Sequence, residues 1–483
     1  MKVSQTRQMK EKKALAPQRS RQTPRPANQA WGSIQWRTLE QYVLYIQTDI
    51  YRASQSGDRR AVHALQQQLI ASEPARLLAV RRATEENDGK DTAGIDGVKS
   101  LNPKERLAMV ETIHPAYWGQ QPPRPGRRVW IPKSGTVERR PLAILPMIDR
   151  CKQALVKLAL EPEWEAKFEL HSYGFRPDRS AQDAIRAILR ALKQRSSFVF
   201  DADIEAAFDS VNQAALLEKL STYPALRQTI HAWLKAGVVD GGTYMPGNTG
   251  ISQGGALSPL LMNVALHGME AVVRGDNAAD YAMPLVVRYA DDFVVLHSTL
   301  SELQQTARRL RQWLARIGLQ LNAHKTRITH TLTPFQGQAG FDFLGFTLRQ
   351  YPIEKIAGKS PRFQTILTPS EEASKRHLAV ISQRLLKLQS APQAQVIREL
   401  NPIIGGWAAY YNGIVSAEAM SRYDEQLEHL LMSWASKRHP NKARDWLLNR
   451  YWQHVGKREW IFTAPEGAQL RPYRRSNGQD RAR

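Results

Sequence analysis

Residues 284–298 read PLVVRYADDFVVLHS, two apolar runs interrupted by the adjacent carboxylates Asp291 and Asp292. The flanking Val, Leu and Phe residues have the composition of buried strands, and the short break between them reads as the tip of a hairpin. Two unit charges about 4 Å apart repel by about 1 kcal/mol in bulk water, and by several times more where the dielectric falls. A compensating cation is therefore expected at the tip. A second acidic stretch, FVFDADIEAAFDSVN at residues 198–212, lies upstream. Alternate residues of a strand share a face, so Asp201 and Asp203 point together, away from Phe198 and Phe200. If that strand lies beside the hairpin, Asp203 and Asp291 meet across it. Carboxylates so placed suit magnesium, which takes octahedral oxygen ligation and leaves positions for substrate phosphates. Two such ions about 4 Å apart can activate an attacking hydroxyl and stabilise a leaving phosphate oxygen. The expected chemistry is nucleotidyl transfer.

Composition narrows the class. A chain of 483 residues with 42% hydrophobic and 8% aromatic content can build two or three packed domains. Lys and Arg outnumber Asp and Glu by 68 to 45, and the net charge of +23 is spread along the whole length. Such a surface predicts a polyanionic partner, nucleic acid first. The single cysteine, Cys151, excludes an intramolecular disulfide and a Cys-rich zinc module within this sequence. No apolar run approaches the roughly 18 residues of a membrane span, and the start has no apolar core of a signal peptide. A cytoplasmic, membrane-free protein is expected, an organellar one being the alternative.

Organisation follows from periodicity. Residues 1–28 carry eight Lys or Arg against one acid, Glu11, and read as a disordered basic tail. Residues 29–100 read as a helical extension, closed by the glycines of DTAGIDGV. Residues 101–350 mix short extended pieces, helices and the acidic strands, as expected for an α+β domain over a mostly antiparallel sheet. Everything beyond Pro369 reads as helical. Residues 351–440 form a helical domain, and the basic segment 441–483 is a candidate DNA-binding element through phosphate contacts.

The order of motifs carries a resemblance. FVFDADIEAAFDS, GISQGGALSPLLMNVALHGME, VVRYADDFVVL, LNAHKTRITH and FDFLGFTL resemble the consecutive palm motifs of reverse transcriptases. Upstream, TAGIDGV, VWIPKSGTVERRPLAIL and SYGFRPDRSAQDAI resemble the fingers and N-terminal extension of the group II intron-encoded class. Downstream, LNPIIGGWAAYYNGIVS and WASKRHPNKARDW resemble its maturase, or thumb, domain. The resemblance implies a right-hand polymerase fold of fingers, palm and thumb that copies RNA into DNA with two magnesium ions and deoxynucleoside triphosphates. It also implies an RNA template, a DNA primer, target DNA, and a maturase role in binding the parent group II intron RNA to assist splicing and mobility.

Carried over by position, the resemblance implies metal ligation by Asp203 and Asp291, with Asp292 beside them. Phe208 is the aromatic beneath the incoming sugar, where a bulky ring leaves no room for a 2′-hydroxyl. Lys133 and Arg140 grip the triphosphate, with Arg139 an equally good neighbour by sequence. Gln253 contacts the nascent base pair, and Lys325 lies near the leaving pyrophosphate. FLGF at residues 343–346 resembles the turn that holds the primer end. Ser258 and Pro259 read as the cap and first position of a helix; Tyr410 or Tyr411 could stack on bases, although aromatics at helical spacing are more often core. AGKS at residues 357–360 is no P-loop, since Ile353 stands where the first Gly belongs. Lacking paired Cys and His ligands, the chain is not expected to cleave a second DNA strand. Two alternatives are a related transcriptase of a defence or diversity-generating system, and an RNA-binding splicing factor with a silent polymerase core.

Overall fold

The computed structural model describes residues 30–132, 139–193, 195–275, 283–353, 363–455 and 458–474. The basic tail, Lys133 and the AGKS stretch lie outside them. The chain forms two compact units.

The first unit holds most of the N-terminal region together with residues 144–167 and 255–257. Its long helix Trp36–Gln55 buries Leu39, Val43, Ile46 and Ile50, spaced by three and four along one face. That face packs on the helix Met147–Lys167, as do the shorter helices Arg59–Ala71 and Glu73–Arg81. Each short helix starts on a side-chain cap: Asp58 accepts from the Ala61 amide and Ser72 from the Ala75 amide. The AGIDG loop is fixed to the same bundle. Asp96 Oδ2 accepts from the Met147 amide at 2.8 Å, and Arg150 donates to the carbonyls of Gly89, Thr92 and Leu145.

The second unit contains three larger sheets. Arg139–Ile144, Gly126–Pro132, Val238–Asp240 and Thr243–Met245 make one of four strands in that order. The central sheet runs Leu285–Tyr289, Asp292–His297, Phe198–Ala202, Arg327–His330, and every neighbour pair is antiparallel. Helices Ala181–Leu192 and Leu300–Arg316 cover it. A third sheet, Phe363–Pro369, Phe346–Pro352 and Phe341–Phe343, leads into the helices Glu371–Lys387, Gln393–Tyr411 and Ala417–Arg438. Its core is continuous with theirs through Phe346, Leu348, Ile381, Ile404 and Tyr411.

Two expectations need correction. The chain beyond Pro369 is not wholly helical, because Trp452–Val455 and Arg458–Phe462 form an antiparallel hairpin after the helix Arg444–Tyr451. Trp452 and Phe462 face each other across it with ring centroids 5.1 Å apart, a cross-strand aromatic pair that outweighs helical continuation. Ser258 is the first residue of its helix, and its hydroxyl donates to the Ser252 carbonyl at 2.6 Å instead of capping. That bond closes the Gly-rich loop onto the helix it precedes. Among the described residues no helix is long and apolar enough to cross a membrane.

Candidate active site

Strand register brings the acidic residues to one end of the central sheet. Ala202 pairs with Phe293, and the hairpin closes at the pair Tyr289 and Asp292. Asp203 therefore leaves its strand beside the two-residue tip that carries Asp291. Its carbonyl accepts from the Asn322 amide at 2.8 Å, which ties the strand end to the loop bearing Lys325.

The tip is strained and well supported. Ala290 has φ of 58°, at the first central position of a two-residue hairpin loop, where glycine is usual. Beneath it lies the buried Arg288. Its Nη1 donates to the Ala290 carbonyl at 3.0 Å and to Asn263 Oδ1 at 2.8 Å, while Nη2 lies 3.9 Å from Glu169 Oε2. Asn263 Nδ2 in turn donates to the Gly174 carbonyl at 2.8 Å. A Cβ at Gly174 would stand 2.4 Å from the Ala290 nitrogen, so only glycine admits this approach. Burial opposes ionisation of Glu169, yet His267, Arg288 and the Gly268 amide together hold its carboxyl at about 2. A guanidinium in this setting is a fixed positive charge under the acidic tip.

The carboxylates crowd one another. Burial first, and then the neighbouring Asp203, raise Asp291, against the pull of Arg140 and Arg288. Asp292 opens toward solvent, but desolvation followed by Asp291, Asp203 and Asp201 pushes it to about 7. Burial, opposed by Arg327, lifts Asp201 to about 6, and Arg327 Nε meets its Oδ2 at 3.2 Å. Lys325 Nζ sits 3.2 Å from Asp203 Oδ2. The carboxylates thus raise one another, and the Lys325 ammonium lies on one of them. Among the described residues no three His, Cys, Asp or Glu side chains converge tightly enough to hold an ion alone.

The remaining expected residues distribute as follows. Arg139 and Arg140 are both exposed, and Arg140 is the one whose charge reaches Asp291. Phe208 is half-buried on the short helix Ala207–Ser210, and its carbonyl accepts from Ile251 of the Gly-rich loop at 2.6 Å. The Gln253 carbonyl accepts from the Ala143 amide at 2.7 Å, which joins that loop to the strand of Arg140. A cavity beside them is lined by Arg128, Ala143, Asp209, Ile251, Ser252 and Gln253. Tyr410 and Tyr411 are turned elsewhere than toward solvent bases: their hydroxyls donate to the Leu344 and Gly345 carbonyls, each at 2.9 Å. Sequence reasoning missed Gly174, Asn263 and Arg288. Only the charged residue just before the acidic tip of an apolar hairpin, Arg288 in VVRYADD, offered a signal.

Comparison with known proteins agrees with this architecture. Residues 131–348 match the family model of reverse transcriptase (RNA-dependent DNA polymerase), residues 31–113 that of the N-terminal domain of reverse transcriptase, and residues 374–452 the group II intron maturase-specific domain. Protein YkfC of Escherichia coli is 32% identical over 323 residues, covering 58% of this chain and 81% of YkfC. The group II intron-encoded protein LtrA of Lactococcus lactis is 32% identical over 39% of this chain and 31% of LtrA. Maturase-like protein 1 of Euglena gracilis is 26% identical over 64% of each chain. The chain thus spans most of YkfC but less than a third of LtrA.

Proposed function

The chain belongs to the group II intron-encoded reverse transcriptases with a maturase-specific domain, and from that premise we propose the residues and partners of its reaction. It has the right-hand polymerase fold and is an RNA-directed DNA polymerase by family. The observation that carries the site is the register that delivers Asp203, Asp291 and Asp292 to one end of the palm sheet. Asp203 and Asp291 would hold the divalent metal that a reverse transcriptase domain implies, usually magnesium. When bound, it supplies Lewis-acid activation of a primer hydroxyl and charge neutralisation on the phosphates. Asp292 holds the local field negative beside them. Arg140 orients the triphosphate, Gln253 lies against the nascent pair, and the Phe208 ring excludes a 2′-hydroxyl. Lys325 moves from Asp203 to the departing pyrophosphate. In this reading residues 101–350 are fingers and palm, 351–440 the thumb, and 441–483 a DNA contact. The bound RNAs are template and parent intron, with a DNA primer and target.

Primer extension on an RNA template tests this. Wild-type protein with magnesium and deoxynucleotides is expected to extend, and Asp291→Ala to lose extension while retaining intron RNA binding. A wild-type protein that extends no primer would end the polymerase assignment of the site.

A further inference from the structure

The turn of the FLGF motif is an unusual piece of backbone. Phe343 pairs with Phe346, so Leu344 and Gly345 form a two-residue hairpin loop, with φ of 50° and 76°. Two successive left-handed residues are the mark of a type I′ turn, and a bulky γ-branched Leu is poorly suited to the first of them. Something outside the hairpin must hold it. The end of the helix Gln393–Tyr411 does so. Tyr410 donates to the Leu344 carbonyl and Tyr411 to the Gly345 carbonyl, across 66 residues in each case. The Ser370 amide adds a second bond to the Gly345 carbonyl at 2.8 Å. Both tyrosine rings pack on the buried Phe346, with centroids 5.4 and 4.8 Å away. On the other side Gln182 of the palm helix Ala181–Leu192 donates to the Tyr410 carbonyl at 2.9 Å. Tyr289, which opens the acidic tip, packs against the same core and lies close enough to Tyr410 to add to the rise that burial gives its hydroxyl.

We propose that Tyr410 and Tyr411 are positioning residues, a latch through which the maturase-domain helix Gln393–Tyr411 sets the Leu344-Gly345 turn and thereby the retention of a primer end. The proposal rests on the polymerase reading above, together with the resemblance of FLGF to the turn that holds a primer end.

The test uses the full chain with Tyr410→Phe, Tyr411→Phe and the double variant, which keep the rings and remove the hydroxyls. A hydrogen bond of this kind is worth roughly a factor of five, so the double variant, which loses two, should release a primer–template duplex about twenty-five times faster. Nucleotides added per binding event should fall alike, while single-turnover addition of the first nucleotide at saturating duplex stays within about twofold. Tyr423→Phe controls for stability alone, because its hydroxyl meets Ser374 Oγ at 2.6 Å in the same domain without touching the turn. It should lower the melting temperature and leave retention unchanged. Unchanged release in the double variant overturns the latch, as does an equal loss in Tyr423→Phe. Failure of the wild type to extend would instead indict the polymerase reading.

Discussion

At the scale of the residue, the acidic tip stores its own repulsion. Asp292 rests at about 7 against an ordinary 3.8, and Asp201 at about 6, burial being the first cause of both shifts and neighbouring carboxylates an added one. A carboxyl raised in the folded chain binds a proton that the unfolded chain has released. Its stabilising effect is therefore complete below the unfolded value and disappears as pH climbs through the folded one. Without metal, the protein should thus lose stability from about pH 4 to pH 7 on account of these groups. Asp292→Asn removes the ionisation and should melt at higher temperature than wild type at pH 8, with the two curves converging below about pH 4. Magnesium should raise the wild-type midpoint more than the variant's. Thermal denaturation across pH, with and without magnesium, reads both effects, and superimposable curves at every pH would contradict the crowding argument.

At the scale of the element, the tip is kept in place by a backbone approach that tolerates no side chain. The Cβ of Gly174→Ala would come within 2.4 Å of the Ala290 nitrogen, and backbone cannot yield there without moving Asp291. Displacing a reacting group by about 1 Å costs on the order of a hundredfold in rate. Gly174→Ala should therefore lose about that much single-turnover extension while binding intron RNA as before; retained extension would show that the tip is held by Arg288 alone. This dependence also marks the boundary of what could be read in advance. The acidic strands were legible because a period of two and a two-residue loop are local properties, and the register that joins them needs only that Asp203 follow an apolar strand. Gly174 and Asn263 were not, since each acts through contacts with residues far along the chain and neither type is diagnostic. That Tyr410 and Tyr411 pack in the core was legible, since aromatics at helical spacing are more often core, but the carbonyls their hydroxyls meet lie 66 residues away and were not. The Trp452–Phe462 hairpin was missed because a short run of aromatic and apolar residues fits helix and strand equally well.

At the scale of the whole molecule, a net charge of +23 distributed along the chain governs how it meets RNA. Binding that neutralises phosphates releases counterions, so the logarithm of the association constant falls linearly with the logarithm of salt concentration. With about six to ten phosphates neutralised, affinity should drop by roughly three to five decades between 50 and 200 mM salt. The steepness is set by the number of phosphates engaged and not by chemistry, which separates the two ends of the molecule. Lys437 and Arg444 are exposed near the end of the maturase-matched segment, and neither belongs to the acidic tip. Replacing both with Ala should shallow the salt slope by about one for each phosphate no longer neutralised, uniformly across RNA sequences. Asp291→Ala should leave the slope as it was, although it abolishes synthesis. Filter binding of intron RNA over a salt series measures each slope directly. A slope in the Lys437→Ala, Arg444→Ala variant equal to that of wild type would move the RNA to another face of the protein.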